Sequence, residues 1–366
     1  MGVGSGDRIA TMQVNCNENI ETYFAAAKLD AVYVPLNFRS RPEEIEYMLN
    51  DSEPKVLITG ERYVSMVNDI KGDLPTVDHL VVLDDASVEG WESYETLIAS
   101  ASDDDLFPED DEDDLTMVMF TAGTTGSPKG VMLSHDSFSS YILSNVSPPE
   151  IESEEKNILT VPLYHIAGIQ AVMAAIYGGR TLIIQRQFEP VEWMTLVQEE
   201  KANRAMMVPT MLKMLMDHKD FETFDLSSLE VITYGAAPMP LEVIKRAIGQ
   251  FPGTFFINAF GQTETAATIT MLPPEDHLLE GSEEEIEKKL NRLTSIGKPL
   301  SDVEVRIVDE DGGEVAVGET GEIVAHGPRL MKGYWNQQAA TAEALRGGCS
   351  IPVSYTHLTL PTILLV

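Results

Sequence analysis

Residues 115–130 have the sequence LTMVMFTAGTTGSPKG, in which an apolar run is followed by a segment rich in glycine and hydroxyl residues. The run from Leu115 to Phe120 predicts a buried strand. The segment from Thr121 to Gly130 contains three glycines, four hydroxyl side chains and one lysine. Glycines let backbone amides approach an anion closely, hydroxyl groups donate hydrogen bonds, and Lys129 adds a mobile positive charge. The segment therefore predicts a phosphate-binding loop, with an ordinary strand-to-helix turn as the alternative.

The spacing of this loop differs from that of the Walker phosphate-binding loop. Counted from Gly123, the pattern G-x-x-x-x-G-K-[ST] requires a glycine where Pro128 stands and a hydroxyl residue where Gly130 stands. Other clusters of the chain must therefore decide which phosphate compound the loop would bind.

Short runs of strand-forming residues alternate along the chain with longer segments that suit helices, which predicts an α/β fold with parallel sheets covered by helices. The predicted strands are 31–36, 56–59, 80–83, 115–120, 158–161, 181–184, 205–208 and 231–234. The predicted helices are 19–28, 42–49, 136–145, 191–201, 210–218 and 240–251. Further along, 275–293 is charged and partly helical in pattern, and strands are expected at 303–308 and 322–325. They predict a smaller β-rich subdomain at about 295–348.

The composition excludes several classes of protein. The chain has 59 acidic and 25 basic residues, a formal charge of −34, which argues against nucleic acid as a partner because phosphate would be repelled. No run approaches eighteen apolar residues, so no membrane-spanning segment is predicted, and a cytoplasmic location is expected. Cys16 and Cys349 are far apart in sequence, and neither a disulfide framework nor a structural zinc site is indicated.

Two further clusters follow predicted strands. The segment 235–238, GAAP, comes directly after the predicted strand 231–234, where small side chains would let a flat ring lie against the backbone. A tight strand-to-helix turn is the alternative. The segment 162–168, PLYHIAG, places His165 among apolar residues, where a histidine is either catalytic or simply part of the core.

A third cluster, 258–264, has the sequence NAFGQTE and follows a strand pattern at 254–257. Its amide, aromatic ring, hydroxyl and carboxylate suit a nucleotide with magnesium, since Mg²⁺ prefers oxygen ligands. Phe260 would stack on a base and Glu264 would bind the metal. Alternatively, Phe260 belongs to the core and Glu264 is solvated.

In their order and spacing, these clusters resemble the core motifs of the adenylate-forming superfamily, and specifically of AMP-forming acyl-CoA synthetases. The resemblance extends from about Gly6 to about Gly348. The matching segments are 25–39, 121–130, 162–165, 235–238, 258–264 and 321–336. It implies the large N-terminal domain of such an enzyme, with helices packed on two mainly parallel sheets and a smaller β-rich subdomain.

The resemblance also implies roles for individual residues. It gives catalytic roles to Lys129, Thr263, Glu264 and His165, with Glu264 as the magnesium ligand. It assigns nucleotide binding to Thr121, Gly123, Thr124, Thr125, Gly126, Ser127, Lys129, Gly235, Ala236, Ala237, Asn258, Phe260, Gly261 and Thr263. Segment 121–129 would contact the β- and γ-phosphates, and 235–237 would form a backbone wall beside adenine. Phe260 stands where the family usually has tyrosine.

The implied reaction uses ATP and Mg²⁺ to join a carboxylic acid to AMP, after which coenzyme A displaces AMP. Amino-acid-activating relatives usually carry an aspartate in the segment equivalent to 162–168, and none is present here. An acid without an α-amino group is therefore expected, with fatty acids of medium or long chain ahead of aromatic acids. The alternatives are an adenylation domain that loads a carrier-protein thiol, an aryl-CoA ligase, and a non-catalytic nucleotide-binding fragment.

The chain departs from the family near its end. The family's ribose-binding aspartate, hinge and C-terminal lid domain have no counterpart, so little overall activity is expected of the chain as written. Residues 347–366 contain no Asp, Glu, Lys or Arg, although 23% of the whole chain is charged. Segment 349–366 is therefore interpreted as a non-native or aberrant tail, and 1–348 as the AMP-binding domain.

Overall fold

A computed structural model describes residues 1–84, 87–107, 114–121, 127–149, 154–309 and 311–345. The predicted tail at 349–366 lies outside them. The chain folds as two compact units, of which the first comprises Met1–Phe138 and Met331–Leu345 and the second comprises Ser139–Leu330. No helix within the described residues is long and apolar enough to cross a membrane.

The described residues form seventeen strands and eleven α-helices. The strands are β1 (Arg8–Met12), β2 (Val32–Pro35), β3 (Val56–Thr59), β4 (His79–Val82), β5 (Glu92–Ser93), β6 (Leu115–Thr121), β7 (Lys129–Ser134), β8 (Lys156–Leu159), β9 (Thr181–Ile184), β10 (Arg204–Met207), β11 (Val231–Gly235), β12 (Phe255–Gln262), β13 (Ala267–Leu272), β14 (Lys298–Pro299), β15 (Glu304–Val308), β16 (Glu322–His326) and β17 (Gly333–Tyr334). The helices are α1 (Asn17–Lys28), α2 (Pro42–Ser52), α3 (Val64–Ile70), α4 (Tyr94–Ser100), α5 (His135–Asn145), α6 (Ile166–Tyr177), α7 (Pro190–Glu200), α8 (Pro209–Met216), α9 (Leu241–Gln250), α10 (Glu283–Arg292) and α11 (Gln338–Ala344).

The first unit is built on an eight-stranded sheet with the order β17-β7-β6-β2-β1-β3-β4-β5. The strands from β6 to β5 in this order are parallel, whereas β7 and β17 are antiparallel to their neighbours. All four residues of β2 and of β3 are buried. Burial of both faces explains why these strands are continuous apolar runs rather than alternating patterns.

The second unit is built on a seven-stranded sheet with the order β14-β13-β12-β11-β10-β8-β9. The strands β8 to β12 are parallel to their neighbours, and β13 and β14 are antiparallel. Its core includes the fully buried Trp193, Ile232, Tyr234 and Ile244. The strands β15 and β16 form a separate antiparallel pair, as the sequence predicts. The two large sheets with their helices confirm the predicted α/β class.

The structure differs from the sequence-based expectations at three places. The glycine-rich loop does not lead from a strand into a helix, because Lys129–Ser134 forms β7, which pairs antiparallel with β6. The strand expected at 254–257 continues through Gln262, so most of the third cluster lies within a strand rather than after one. Helix α6 was not predicted, since its residues are apolar on nearly every face and show no contrast at helical spacing.

Candidate functional site

The second unit brings three of the predicted clusters to one edge of its sheet. His165 follows β8, Ala236 follows β11, and Thr263 follows β12. These strands are parallel, so their carboxyl ends lie at the same edge. In the sheet, β9 lies beside β8 in one direction, whereas β10, β11 and β12 follow one another in the opposite direction. The strand order therefore reverses between β8 and β10. Ligands of open α/β sheets bind at such a reversal of strand order.

His165 lies directly before α6 and is exposed, whereas the residues from Leu163 to Gly168 around it are buried. Its ring centroid lies 4.5 Å from that of Tyr164. Its amide donates to the carbonyl oxygen of Pro162 at 3.0 Å, which closes the turn between β8 and α6. The alternative that His165 is a core histidine is therefore wrong. His165 thus lies exposed at the carboxyl edge of the sheet.

The segment after β11 presents backbone rather than side chains. Gly235 is buried, and Ala236 and Ala237 are exposed. A Cβ atom at Gly235 would lie 2.1 Å from the carbonyl oxygen of Ala259 on β12, so only glycine permits this approach of the two strands. Ala236 has φ of 60°, a left-handed conformation that alanine rarely adopts. Such strain is concentrated at functional sites.

Glu264 lies in a short 3₁₀ turn, Thr263–Thr265, after β12. The Thr265 hydroxyl lies 3.1 Å from the carbonyl oxygen of Gln262 and 2.9 Å from that of Ala267, which fixes the turn. Glu264 is 5% exposed and Thr263 is half-buried. The alternative that Glu264 is a solvated surface carboxylate is therefore wrong.

The backbone beside this turn is also strained and closely packed. Ala266 and Ala267 have φ of 47° and 91°. A Cβ atom at Gly261 would lie 1.7 Å from the carbonyl oxygen of Ala267, so β12 and β13 approach each other only because this residue is glycine. Three alanines with positive φ thus border the edge that the clusters share.

Asn258 and Phe260 have partners within the protein. The Asn258 amide nitrogen donates to the carbonyl oxygen of Ser295 at 3.1 Å. Phe260 is 8% exposed and packs in an apolar cluster with Ile269 and Val303. Both residues therefore stabilise this edge of the sheet. Their contacts with adenine stay predictions.

The predicted phosphate-binding segment belongs to the first unit. Thr121 ends β6 and is paired with Lys129, the first residue of β7, so these two residues form the base of a hairpin. The Lys129 ammonium lies 4.9 Å from the centroid of the Tyr334 ring, a cation–π contact. Ser127 is exposed. The predicted ligands Gly123, Thr124, Thr125 and Gly126 lie outside the described residues.

Magnesium fits the residues of this edge as a partner of nucleotide rather than as a resident metal. Within the described residues, no group of three or more His, Cys, Asp or Glu side chains could hold a metal ion. Glu264 supplies one buried carboxylate, and Mg²⁺ is usually bound by one or two carboxylates together with substrate phosphates. Glu264 is thus a suitable protein ligand for a nucleotide-bound magnesium ion.

A buried hydrogen-bond chain supports the end of β11. The Tyr234 hydroxyl lies 2.9 Å from His277 Nε2, and His277 Nδ1 lies 2.9 Å from the carbonyl oxygen of Pro273. His277 Nδ1 must donate to the carbonyl, so its Nε2 accepts from the tyrosine. Burial raises the pKa of Tyr234 and lowers the pKa of His277, which keeps both groups neutral. No sequence pattern indicates this pair, because its members are 43 residues apart.

Another supporting residue comes from the segment 321–336, which carried no assigned role. Arg329 is 1% exposed, and its Nε lies 2.8 Å from Asp302 Oδ2. Its guanidinium also donates to the carbonyl oxygen of Thr268 and lies 5.4 Å from the Tyr141 ring centroid. The hydrogen bond to Thr268 connects the segment after β16 to β13, beside the strained alanines.

The second unit also contains a cavity beneath this edge, which no sequence pattern indicated. It has a volume of about 580 Å³ and lies within the second unit. Gln170, Ala259 and Thr268 line it toward the carboxyl edge of the sheet, and Arg204 lines it at the amino edge. Its volume is typical of small-molecule sites.

Comparison with known proteins agrees with this geometry. A family model described as AMP-binding enzyme matches residues 1–335. An indoleacetate–CoA ligase of Aromatoleum aromaticum is 29% identical over 351 residues, covering 95% of this chain and 65% of that protein. A long-chain-fatty-acid–CoA ligase of Thermus thermophilus is 31% identical over 350 residues, covering 94% of this chain and 63% of that protein. The chain thus spans slightly less than two thirds of the length of these curated relatives.

A solved structure shows the same fold. The inhibitor-bound N-terminal domain of FACL13 from Mycobacterium tuberculosis matches with a TM-score of 0.82 and 29% sequence identity. The match covers 96% of this chain and 83% of that chain.

Proposed function

The chain belongs to the AMP-binding enzyme family, whose model matches nearly all of it, and we propose on this basis that it activates a carboxylic acid with ATP and transfers the acyl group to coenzyme A. The observation that carries the proposal is the convergence of His165, Ala236 and Thr263 at the carboxyl edge of one parallel sheet. Parallel α/β sheets bind nucleotides at this edge. The names of both curated relatives describe CoA ligases.

The first step is adenylation. A carboxylate oxygen of the acid attacks the α-phosphorus of ATP, the bond to the bridging oxygen breaks, and pyrophosphate leaves. The exposed backbone from Ala236 to Ala237 receives the adenine, and the Thr263 hydroxyl donates to the α-phosphate. Lys129 offsets the charge on the β- and γ-phosphates, which would otherwise repel an anionic nucleophile. His165 borders the reacting carboxylate.

The Glu264 carboxylate is the protein ligand we propose for magnesium, which when bound neutralises phosphate charge. Burial suits this role, because a desolvated carboxylate interacts with a cation more strongly than a solvated one does. In the second step, the thiolate of coenzyme A attacks the acyl carbon and AMP leaves. A carrier-protein thiol is the alternative acceptor, and a direct comparison of the two thiols distinguishes them.

The acid itself lacks an α-amino group in this proposal, because segment 162–168 has no aspartate to pair with an ammonium group. The names of the two relatives describe an aromatic acid and long-chain fatty acids as substrates. Among acids with a single carboxylate, fatty acids of medium or long chain are our first choice. A panel of aliphatic and aromatic acids tests the ranking.

Acid-dependent exchange of labelled pyrophosphate into ATP tests the adenylation step. We expect Lys129→Ala and Glu264→Gln each to reduce exchange by about 100-fold or more, the usual cost of removing one charge-stabilising group. Lys245→Ala and Glu287→Gln are matched controls, because both side chains are exposed on helices α9 and α10. Exchange near the wild-type rate in either test variant would contradict the assigned roles.

A further inference from the structure

The cavity beneath the candidate site runs along one face of the sheet in the second unit. Side chains two residues apart on a strand share a face. Arg204 and Met206 of β10 both line the cavity, as do Val231 and Thr233 of β11. Ile257 and Ala259 of β12 continue the same face.

Strand register orders these residues from one edge of the sheet to the other. Arg204 is paired with Val231 at the amino edge, and Gly235 is paired with Ala259 near the carboxyl edge. Four residue steps along β11 separate these two rows, which corresponds to a length of about 13 Å. The lining of the cavity therefore extends from the amino edge of the sheet almost to its carboxyl edge.

The far end of the cavity is charged. Glu155, Arg180 and Arg204 all line it, and each is partly buried. The Arg204 Nη1 donates to Glu155 Oε1 at 2.8 Å, and the Arg180 Nε donates to Glu155 Oε2. Each guanidinium has five N–H donors, and Glu155 accepts from one of each. Two positive groups thus face one carboxylate in a protein whose formal charge is −34.

The charge of Arg180 destabilises the charge of Arg204. Burial and the charge of Arg180 both lower the pKa of Arg204, while Glu155 and Glu230 raise it. Glu230 is exposed directly before β11, so water screens its effect. A second anion beside Arg204 would relieve the repulsion between the guanidiniums.

A polar group also lies toward the near end of the cavity. Gln170 of α6 is 7% exposed, and its Oε1 accepts from the Thr268 hydroxyl at 3.4 Å. Its Nε2 is buried and has no hydrogen-bond partner within the described residues. A buried donor without an acceptor costs about 1–3 kcal/mol, which a ligand oxygen would recover. The cavity therefore has polar lining residues toward both ends and guanidinium donors at the far end, which a plain hydrocarbon chain cannot use.

We propose that the acid accepted by this protein is a medium-chain dicarboxylic acid, which places one carboxylate at the carboxyl edge beside Gln170 and the other against Arg204 and Arg180. This inference rests on the proposed function and specifies its substrate class. Arginine binds carboxylates through paired hydrogen bonds, and such bonds are the strong ones. The volume of about 580 Å³ accommodates a chain of this kind.

Matched acids of equal chain length test the proposal. Octanoate is compared with octanedioate, and decanoate with decanedioate, in acid-dependent pyrophosphate exchange by the full chain. The same pairs are compared in direct binding by calorimetry, as acyl sulfamates of adenosine that mimic the adenylate. We expect the dicarboxylic member to be favoured at least tenfold in both measurements.

Arginine variants then locate the preference. Arg204→Gln and Arg180→Gln should each reduce the preference about tenfold, with binding of the monocarboxylic member unchanged or improved. Arg204→Lys keeps a positive charge and should retain part of the preference, which separates recognition from a folding defect. Arg306→Gln is the matched control, since its side chain is exposed on β15. Melting temperature is recorded for every variant.

The outcomes separate the two levels of the proposal. Exchange or binding with monocarboxylic acids only, or equal losses for both acids in Arg204→Gln, overturns the dicarboxylate inference and leaves the acid-activating function intact. Absence of both exchange and adenylate-mimic binding with every acid overturns the proposed function and this inference with it.

Discussion

Replacing Gly235 by alanine should destabilise the second unit and weaken nucleotide binding at the same time. The added Cβ atom would lie 2.1 Å from the carbonyl oxygen of Ala259 and 3.2 Å from its carbonyl carbon. Both atoms belong to the backbone of the neighbouring strand, so no change of rotamer relieves the contact. Strands β11 and β12 must instead separate locally by roughly 1 Å to restore an acceptable carbon–oxygen distance.

The cost follows from this displacement. Overpacking of a tightly packed site usually costs about 1–3 kcal/mol. For a folding unit of this size, each kcal/mol lowers the melting temperature by about 2–4 °C, so a cost of about 2 kcal/mol lowers it by about 4–8 °C. The displacement also moves the adjacent Ala236, already at φ of 60°, so we expect at least a tenfold weaker affinity for AMP. Calorimetric melting and titration with AMP measure the two effects.

Gly249→Ala provides the matched control. Gly249 is exposed in helix α9, and a Cβ atom there would have nothing within 4 Å. The same substitution should therefore stabilise the protein by about 0.5–1 kcal/mol through helix propensity. The reasoning is refuted if Gly235→Ala melts within about 1 °C of the wild type, a shift worth less than about 0.5 kcal/mol.

The other predictions concern buried polar groups of the second unit. Arg329→Met removes the guanidinium from the buried carboxylate of Asp302 and should cost about 3–5 kcal/mol in thermal unfolding, and an unchanged melting temperature would contradict this. Tyr234→Phe removes the donor to His277 and should cost about 1–3 kcal/mol in the same measurement. A melting temperature equal to that of the wild type would show that this hydrogen bond does not stabilise the protein. Because burial lowers the pKa of His277, the unfolded chain binds a proton below about pH 6.5 that the folded chain does not, so this residue makes the unfolding free energy fall as pH decreases below that value. Unfolding measured across pH 5 to 7 should show a smaller loss in His277→Asn than in the wild type, and identical pH dependence would contradict the assignment.

The sequence predicted the elements whose patterns are local. The apolar runs of β3 and β9 were located to the residue, because each is a short continuous run that ends at a polar or turn residue. Helix α6 was missed for the opposite reason, since an all-apolar helix lacks the periodic contrast that identifies a helix. Strand β7 was missed because Lys129 and Gly130 look like the end of a loop until their pairing with β6 is known.

The candidate site was predicted as far as it lies in contiguous segments. His165, Ala236 and Thr263 each follow a strand, and the parallel sheet brings strand ends together. The cavity residues Glu155 and Arg204 could not be assigned in this way, because they are distant in sequence and meet only across paired strands. The one pattern that could have indicated this end of the cavity is a charged residue directly before or at the start of neighbouring parallel strands. Such residues are usually solvated, so the pattern alone does not predict a binding site.

The burial of individual side chains was the least predictable property. For Glu264 and His165 the sequence left open a solvated glutamate and a core histidine, and the structure contradicts both alternatives by burying the glutamate and exposing the histidine. The burial of Glu264 depends on the conformation of its turn, which the hydroxyl of Thr265 fixes through hydrogen bonds, rather than on the residue type.

A crystal structure of the protein grown with saturating AMP tests the central claim most directly. The account predicts that the adenine lies against the backbone of Gly235 to Ala237 and that the phosphate lies beside Thr263, at the carboxyl edge of the seven-stranded sheet. Nucleotide bound elsewhere on the chain, or an empty edge at saturating AMP, would contradict it.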